Sequence, residues 1–511
     1  MSFTTVMSAA LQGLFVENVL VEADVSNGLP VFHMVGYLSS EVKEASERVR
    51  TAIRNSGFML PAKKIVVNLA PANVRKRGAS FDLPIALSVL CSLGVCKREK
   101  LEKTMVIGEL SLDGRIRKIS GILPIVMKAK ESGCSTCILP KENIQEGALV
   151  EGIRIIGADS LQEVCSFLND VQEIESFIHN INHPFYRQAE EREDFGDIYG
   201  QEAAKRAITI AVAGGHNILF IGPPGSGKSM LAKRIPTILP PLSLDESMEI
   251  TKIYSVMGLV DEASPLVIRR PFRNVHHTVT RSALIGGGKV PLPGEISLAH
   301  GGVLFLDELA EFAKPVLEVL RQPLEERQIH ISRSQGNYVF PANFILAAAM
   351  NPCPCGNYPD MGKCNCTEGQ IRQYLGHISQ PFLDRIDMCM EVPVIPYEDL
   401  SKRKRTETSK EMRARVCVAR DIQKERFESS EILTNSMIPI KEMEQYCHLG
   451  SEEEQLMKKA FTALSLTARS YHKILRVART IADLEGQDNI RSEHIKEAIS
   501  YRTIDKKYWG G

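Results

Sequence analysis

Four cysteines and one glycine-rich turn are the residues whose types and spacing point most directly to chemistry. Cys353, Cys355, Cys364 and Cys366 form two C-x-C pairs in "NPCPCGNYPDMGKCNC", separated by proline and glycine. Four thiolates on two tight turns match a tetrahedral Zn²⁺ site; an iron–sulfur cluster and four reduced thiols in a loop are the other readings. In "NILFIGPPGSGKSMLAKRI" an apolar strand runs into Gly222, Pro223, Pro224, Gly225, Ser226, Gly227, Lys228 and Ser229, and a helical pattern follows. This is G-x-x-x-x-G-K-[ST] in its strand–turn–helix setting, where backbone N–H groups curl around a β-phosphate at a helix N-terminus. Lys228 would bridge the β- and γ-phosphates and Ser229 would offer its hydroxyl to Mg²⁺, so ATP and Mg²⁺ are the expected ligands.

Further signals belong with that turn. "GGVLFLDELAEF" is an apolar strand ending in Asp307 and Glu308. The first carboxylate would hold Mg²⁺, and the second would orient and polarise the attacking water. An acidic loop start is the plainer explanation, and it loses force after a phosphate-binding turn. "FILAAAMN" is a strand ending in Asn351, an amide that either positions the water or opens a turn before Pro352. In "ISQPFLDRIDM", Arg385 stands between two acidic residues, which fits a surface ion pair or an arginine that neutralises a transferred phosphoryl group.

The elements that must carry these residues follow from patterning. A chain of 511 residues allows roughly two to four domains. Lys+Arg and Asp+Glu both total 62, so a nucleic-acid partner would have to meet a local basic patch or a charge-concentrating pore. "MSFTTVMSAALQGLF" lacks a basic region before an apolar core, and the longest apolar run, near "LPIALSVLCSLGV", is too short to cross a bilayer. A cytoplasmic chain with no membrane partner is expected. The remaining cysteines, including the C-x-x-C of Cys134 and Cys137, then read as reduced core thiols. Residues 1–170 alternate strands such as "KKIVVNLAP" and "TCILP" with helices such as "SEVKEASERVRTAIRNSG", which should end at Gly57. Residues 171–196 read as a charged linker, 197–397 as an α/β core holding the cysteine cluster, and 398–511 as almost wholly helical. The basic run Lys402–Arg405 reads as solvated linker.

"FGDIYGQEAAKRAITIAVAGGHNILFIGPPGSGKSMLAKRIP", "PGEISLAHGGVLFLDEL", "AAAMNPCPCGNY" and "LDRIDM" together resemble the magnesium-chelatase-like AAA+ proteins of the ComM/YifB type, over essentially the whole chain. The resemblance implies an α/β fold class in three parts. These are a Lon-protease-like, ribosomal S5-like α+β N-terminal domain, an AAA+ P-loop α/β core, and a C-terminal α-helical lid domain. It also implies Asn351 as sensor 1 and Arg385 as an arginine finger acting on a neighbour's ATP, hence a hexameric ring. Within "SLTARSYHKILRVARTIADLEG", Arg469 matches the sensor 2 place, with Arg476 and Arg479 close by on the same helix. "RPFRNVHHTVTRSALIGGGKVPLPGEISLAH" matches a helix-2 insert and "EERQIHISRSQGNYVFPANF" the hairpin before sensor 1, loops that in such motors point into the pore and track nucleic acid. There Arg281, Lys289 and Arg333 would supply phosphate-seeking charge. His276 and His277 are expected on a strand, pointing to opposite faces in a polar structural role.

"RKRGASFDLPIAL" and "GELSLDGRIRKISGILPIVMKAKESGCSTCILPKEN" carry the Lon-like resemblance and raise a rival function, an ATP-driven protease. Ser80 falls at the nucleophile place, but the partner lysine falls at Leu123, which cannot take a proton, and Lys128 is turned away on the helix. The N-terminal domain is therefore expected to be non-proteolytic. Three functions remain: a motor on DNA, in branch migration or uptake of transforming DNA; an ATP-driven protein remodeller or chelatase-type motor; and a nucleotide-gated DNA-binding scaffold with weak turnover. No small-molecule substrate other than ATP is expected.

Overall fold

Apolar residues at every second position build the first sheet: Val19, Val21, Ala23 and Val25 are buried along strand Phe15–Ser26, and the residues between them are not. The computed structural model describes residues 3–177, 193–288, 290–333, 336–395, 397 and 406–509. Lys289, the run Lys402–Arg405 and residues 178–192 of the expected linker lie outside the described residues. The chain divides into two units. One comprises Met1–Arg187, Leu244–Ile268 and Lys289–Leu292; the other comprises Gln188–Ser243, Arg269–Gly288 and Pro293–Gly511.

The first unit is a mixed seven-stranded sheet. Its spatial order is Val31–Val35, Lys64–Ala70, Phe15–Ser26, Phe3–Gln12, Thr104–Val106, Thr136–Pro140, Arg154–Ala158. Two antiparallel ladders join the second, third and fourth of these strands, and the other ladders are parallel. Helix Ser40–Asn55 buries Val42, Ala45, Val49, Ala52 and Ile53, a stripe at three- and four-residue spacing, and ends two residues short of the expected Gly57. The helix Leu244–Val256, expected within the ATPase core, packs here instead. It lies against helix Ile122–Glu131, where Gly121 N–H donates to Ser255 O at 2.9 Å and Ser255 Oγ donates to Glu146 Oε1 at 2.5 Å.

The second unit is built on five parallel strands in the order Phe272–Val275, Val303–Leu306, Ile345–Met350, Ile218–Ile221, Met388–Glu391. The inner strands are apolar throughout, as a sheet covered on both faces requires. Helices Glu202–Gly214, Lys228–Ile238, Ser409–Arg426, Ala468–Leu484 and Ser492–Trp509 share one apolar core with the sheet. The turn after Ile218–Ile221 therefore opens at the carboxyl end of an interior strand, beside the ends of Val303–Leu306 and Ile345–Met350. Parallel sheets place ligands at that edge.

Buried polar groups tie this sheet to the helices. Asp387 Oδ1 meets Lys473 Nζ at 2.9 Å, and its Oδ2 accepts from Asn217 N–H at 2.9 Å, with His216 Nδ1 4.0 Å away. Burial alone would raise the Asp387 carboxyl, but Lys473, His216 and the Asn217 amide hold it down at about 2. His216 is fully buried, and burial pulls its imidazole down to about 4 against the opposing pull of Asp387. An unfolded histidine titrates near 6.5, so the unfolded chain takes up this proton first as pH falls. The stability tied to neutral His216 is complete above about pH 6.5 and is lost as pH approaches about 4. A His216→Asn variant should show a shallower fall in urea midpoint between pH 6.5 and pH 4 than the parent, the parent's excess loss approaching about 3 kcal/mol.

Candidate functional site: a nucleotide cleft with a cysteine-bound brace

Gly225 and Gly227 adopt φ of 77° and 90°, the left-handed region that only glycine enters freely, and this lets the turn curl back on itself. The result is a cleft of about 400 Å³ lined by Pro224, Gly225, Gly227, Lys228, Ser229, Met230, Asp307, Glu308, Met350 and Asn351. Ser226 is buried behind it, and Gly222 and Pro223 present their carbonyls to Lys228. Lys228 Nζ donates to Gly222 O at 2.7 Å, Pro223 O at 2.9 Å and Asn351 Oδ1 at 3.2 Å. These three oxygens stand where phosphate oxygens would compete for the same protons. Burial pulls the Lys228 ammonium below the usual lysine range, and Asp307 opposes that shift.

Ser229 Oγ donates to Asp307 Oδ2 at 2.7 Å, so a hydroxyl and a carboxylate already converge as a hard-cation donor pair. Glu308 follows with φ 53°, its N–H donating to Asp307 Oδ1 at 3.0 Å. Its carboxylate Oε2 lies 3.3 Å from His277 Nδ1. The sequence reading of the two histidines needs correction here. They stand after strand Phe272–Val275 rather than on it, and their rings lie 4.1 Å apart instead of on opposite faces. His277 is thus a site residue that sequence alone missed, because its contact with Glu308 spans two strand ends.

The cysteines follow Asn351 directly. Cys353 Sγ is 3.4 Å from Cys355 Sγ and 3.8 Å from Cys364 Sγ, Cys355 and Cys364 are 3.6 Å apart, and all four sulfurs lie within 4.8 Å of one another. Tetrahedral zinc with bonds of about 2.3 Å sets its sulfurs about 3.8 Å apart, so the donor set fits. Backbone hydrogen bonds at Asn357 and Asn365 hold the Cys355 thiol down at about 6, while burial and the neighbouring sulfurs push Cys364 and Cys366 up against their own backbone hydrogen bonds. The loop leans on the nucleotide turn. Gly356, at φ 83°, has Pro224 Cδ 2.3 Å from where a Cβ would sit. Tyr374, on helix Glu368–Leu375, takes a backbone hydrogen bond from Asn351.

Arg385 and Arg469 converge on Glu325, and neither lines the cleft. Arg385 Nη2 is 2.6 Å from Glu325 Oε1, and Arg469 Nη2 reaches the same oxygen at 3.6 Å. Arg385 is buried, while the Arg469 side chain is 51% exposed. Arg476 and Arg479 are committed elsewhere: Arg476 donates to Ile438 O, and Arg479 to Asp483 and to the Asp488 carbonyl. Arg281 is exposed at the start of the short helix Arg281–Ile285, and Arg333 is exposed at the end of the hairpin Gln328–Arg333/Gly336–Pro341.

In the first unit Ser80 sits in the turn before helix Asp82–Ser92. Leu123 is fully buried and its N–H donates to Glu146 Oε1 at 3.0 Å, while Lys128 pairs with Glu131 at 3.5 Å. Lys76, four residues before Ser80, is fully buried with its Nζ on the Pro71 carbonyl. These lysines are engaged away from a serine–lysine dyad.

A parallel sheet with a P-loop at an interior strand, an Asp-Glu pair on a nearby strand end and a polar amide between them defines an AAA+ P-loop ATPase motor. Three family models match: "Magnesium chelatase, subunit ChlI" over residues 194–400, "Subunit ChlI of Mg-chelatase" over 21–143, and "Magnesium chelatase, subunit ChlI C-terminal" over 406–502. The chain belongs to the magnesium-chelatase-like family of the ComM/YifB type. It is 42% identical to "Uncharacterized protein YifB" of Escherichia coli over 511 residues, 99% of this chain and 98% of the relative. It is likewise 42% identical to "Competence protein ComM" of Haemophilus influenzae over 509 residues, again 99% and 98%. "Lon protease 2" of Bacillus subtilis is 30% identical over 128 residues, 24% of this chain and 22% of that protein. No described helix is long and apolar enough to cross a membrane.

The contact at Gly356 generates a direct test of the brace. Gly356→Ala combines a positive φ with a clash against Pro224, so it should cost about 1–3 kcal/mol of local strain. A fluorescent ATP analogue titrated against Gly356→Ala should show roughly tenfold or greater loss of affinity, with the fold retained by circular dichroism.

Proposed function

We propose that the chain is the subunit of a hexameric ring motor that hydrolyses ATP to move on DNA, as a helicase or branch-migration enzyme in recombination or natural transformation. The observation that carries the ring is the pairing of Arg385 and Arg469 on Glu325, away from the cleft lining. Two arginines gathered off their own nucleotide site are suited to a neighbour's. Arg469, 51% exposed on its ion pairs with Glu325 and Asp384, is the sensor 2 candidate for this task, since Arg476 holds the Ile438 carbonyl and Arg479 the Asp488 carbonyl. Support for DNA comes from the exposed Arg281 and Arg333 on the insert and hairpin, and from a full-length relative named for competence. A place in the cytoplasm and functional divisions of the chain near 170, 197 and 398, with Leu244–Ile268 joined to the first unit, belong to the same proposal.

In this mechanism the turn's amides and Lys228 hold the phosphates of ATP, Lys228 exchanging its loop carbonyls for phosphate oxygens. Ser229 and Asp307 would hold Mg²⁺, which when bound neutralises phosphate charge. Glu308 takes the proton of the attacking water, Asn351 orients that water, and His277 holds Glu308 in place before turnover. Cys353, Cys355, Cys364 and Cys366 would hold a structural Zn²⁺ that keeps the turn and Asn351 in register.

Glu308→Gln should retain ATP binding and lose about 10²–10⁴-fold in turnover, and equal turnover in that variant would refute its role. A mixing experiment tests the finger. Arg385→Ala chains bind ATP without a working finger, and Lys228→Ala chains offer a finger without binding ATP. Each alone should be inactive and the mixture partly active; a dead mixture places Arg385 in cis. ATPase stimulation by forked or single-stranded DNA, falling with salt, is expected, and its absence on every DNA structure removes the DNA motor in favour of a protein remodeller. Metal analysis should find one zinc per chain, lost in Cys364→Ser.

A further inference from the structure

Among the described residues the seven-stranded sheet ends in Val31–Val35, which pairs on one side only, in parallel with Lys64–Ala70. Its sequence, VFHMV, holds none of the lysines or prolines with which edge strands discourage a further strand. Val31 is 40% exposed and Val35 49% exposed. The opposite edge, Arg154–Ala158, is treated differently: Phe177 bridges to Ile155 across it. Beside the open edge lies a cleft of about 510 Å³. Phe32, Phe58 and Met59 give it an apolar lining, and Met59 is 88% exposed. Arg50 and Arg54, near the end of helix Ser40–Asn55, and Lys63 from the loop beyond add three cations, and no carboxylate lines the cleft. Arg50 has one exposed partner, Glu47 at 3.3 Å.

An open strand edge recognises extended backbone, an apolar recess takes one bulky side chain, and three cations with a single exposed carboxylate beside them select anions. We propose that this edge and cleft dock an extended acidic segment of a partner protein. The segment adds as a strand beside Val31–Val35, seats an apolar side chain between Phe58 and Met59, and sets its carboxylates against Arg50, Arg54 and Lys63. A second copy of this surface fits poorly, because two such edges brought together would oppose like charges. A nucleic-acid strand would meet the cations but leave the backbone edge unused. The inference stands apart from the DNA motor, since none of these residues belongs to the nucleotide cleft.

The test titrates the full-length chain into a fluorescein-labelled peptide that alternates Asp and Val around one Phe, read by anisotropy. Saturable binding is expected, weakened about tenfold or more in the Arg54→Glu/Lys63→Glu double variant. Amide exchange across residues 31–35 should slow only when the peptide is present. The ATPase rate of the double variant should equal the parent's, which shows that the change is local. Failure of the peptide to bind at about 100 μM, binding indifferent to the double variant, or unchanged exchange at 31–35 overturns the proposal. So does displacement of the peptide by oligo-dT, which would make the surface a nucleic-acid site.

Discussion

The second unit hangs on Asn217, the buried residue that precedes the P-loop strand. Its N–H donates to Asp387 Oδ2 at 2.9 Å, its Nδ2 to the Arg385 carbonyl at 3.0 Å, and its Oδ1 accepts from Leu346 N–H at 2.9 Å. One side chain and its amide thus lock the entry to the P-loop strand against the strand that ends in Asn351 and the turn that carries Arg385. Lys473 and Arg502 close the turn from the helical side, donating to the Ile386 carbonyl at 2.9 Å and 2.7 Å. A buried charged node of this kind is costly to break, about 3–5 kcal/mol when one partner goes, because the other charge is left without water or a counter-ion. It adds little net stability over an apolar core, but it fixes register. Register is what a site assembled from four strand ends needs.

The same logic extends to the cysteine loop. Residues 353–366 are rich in glycine, proline and polar side chains and have no apolar face with which to fold. Held at the four sulfurs, the loop sets Gly356 against Pro224. Tyr358 lies edge-on to Tyr508, 6.0 Å between ring centres, and Tyr508 in turn donates to Glu391 at 2.7 Å. The P-loop, the strand tip of Asn351 and the last helix are therefore all in touch with one short segment. No residue of that segment lines the cleft itself.

The first unit shows how a family resemblance and a chemical conclusion can part. Ser80 keeps the nucleophile's place, yet Leu123 is packed at 0% exposure where a base would have to meet solvent and serine. Around it, Arg48 holds the buried Asp82 through two hydrogen bonds of 3.0 Å, so the turn after Ser80 is anchored as structure. Burial pushes the Asp82 carboxyl up, and Arg48 opposes that. The sheet's Val31–Val35 edge pairs with Lys64–Ala70 alone among the described residues.

The phosphate turn, the Asp307–Glu308 pair and the four cysteines were legible from sequence because each is a local motif, its chemistry set by residue types a few positions apart. The strands behind them were legible for the same reason, as unbroken apolar runs. Only the tertiary structure separated Arg469 from Arg476 and Arg479: all three sit on helix Ala468–Leu484, and what distinguishes them is distant, Ile438, Asp488 and Glu325. Only the tertiary structure brought His277 to Glu308, or moved Leu244–Val256 out of the ATPase core and onto helix Ile122–Glu131. Sequence determines what a segment is able to do with its neighbours in the chain. Which charge is left free and which helix face finds a partner are decided by contacts between residues far apart in the chain.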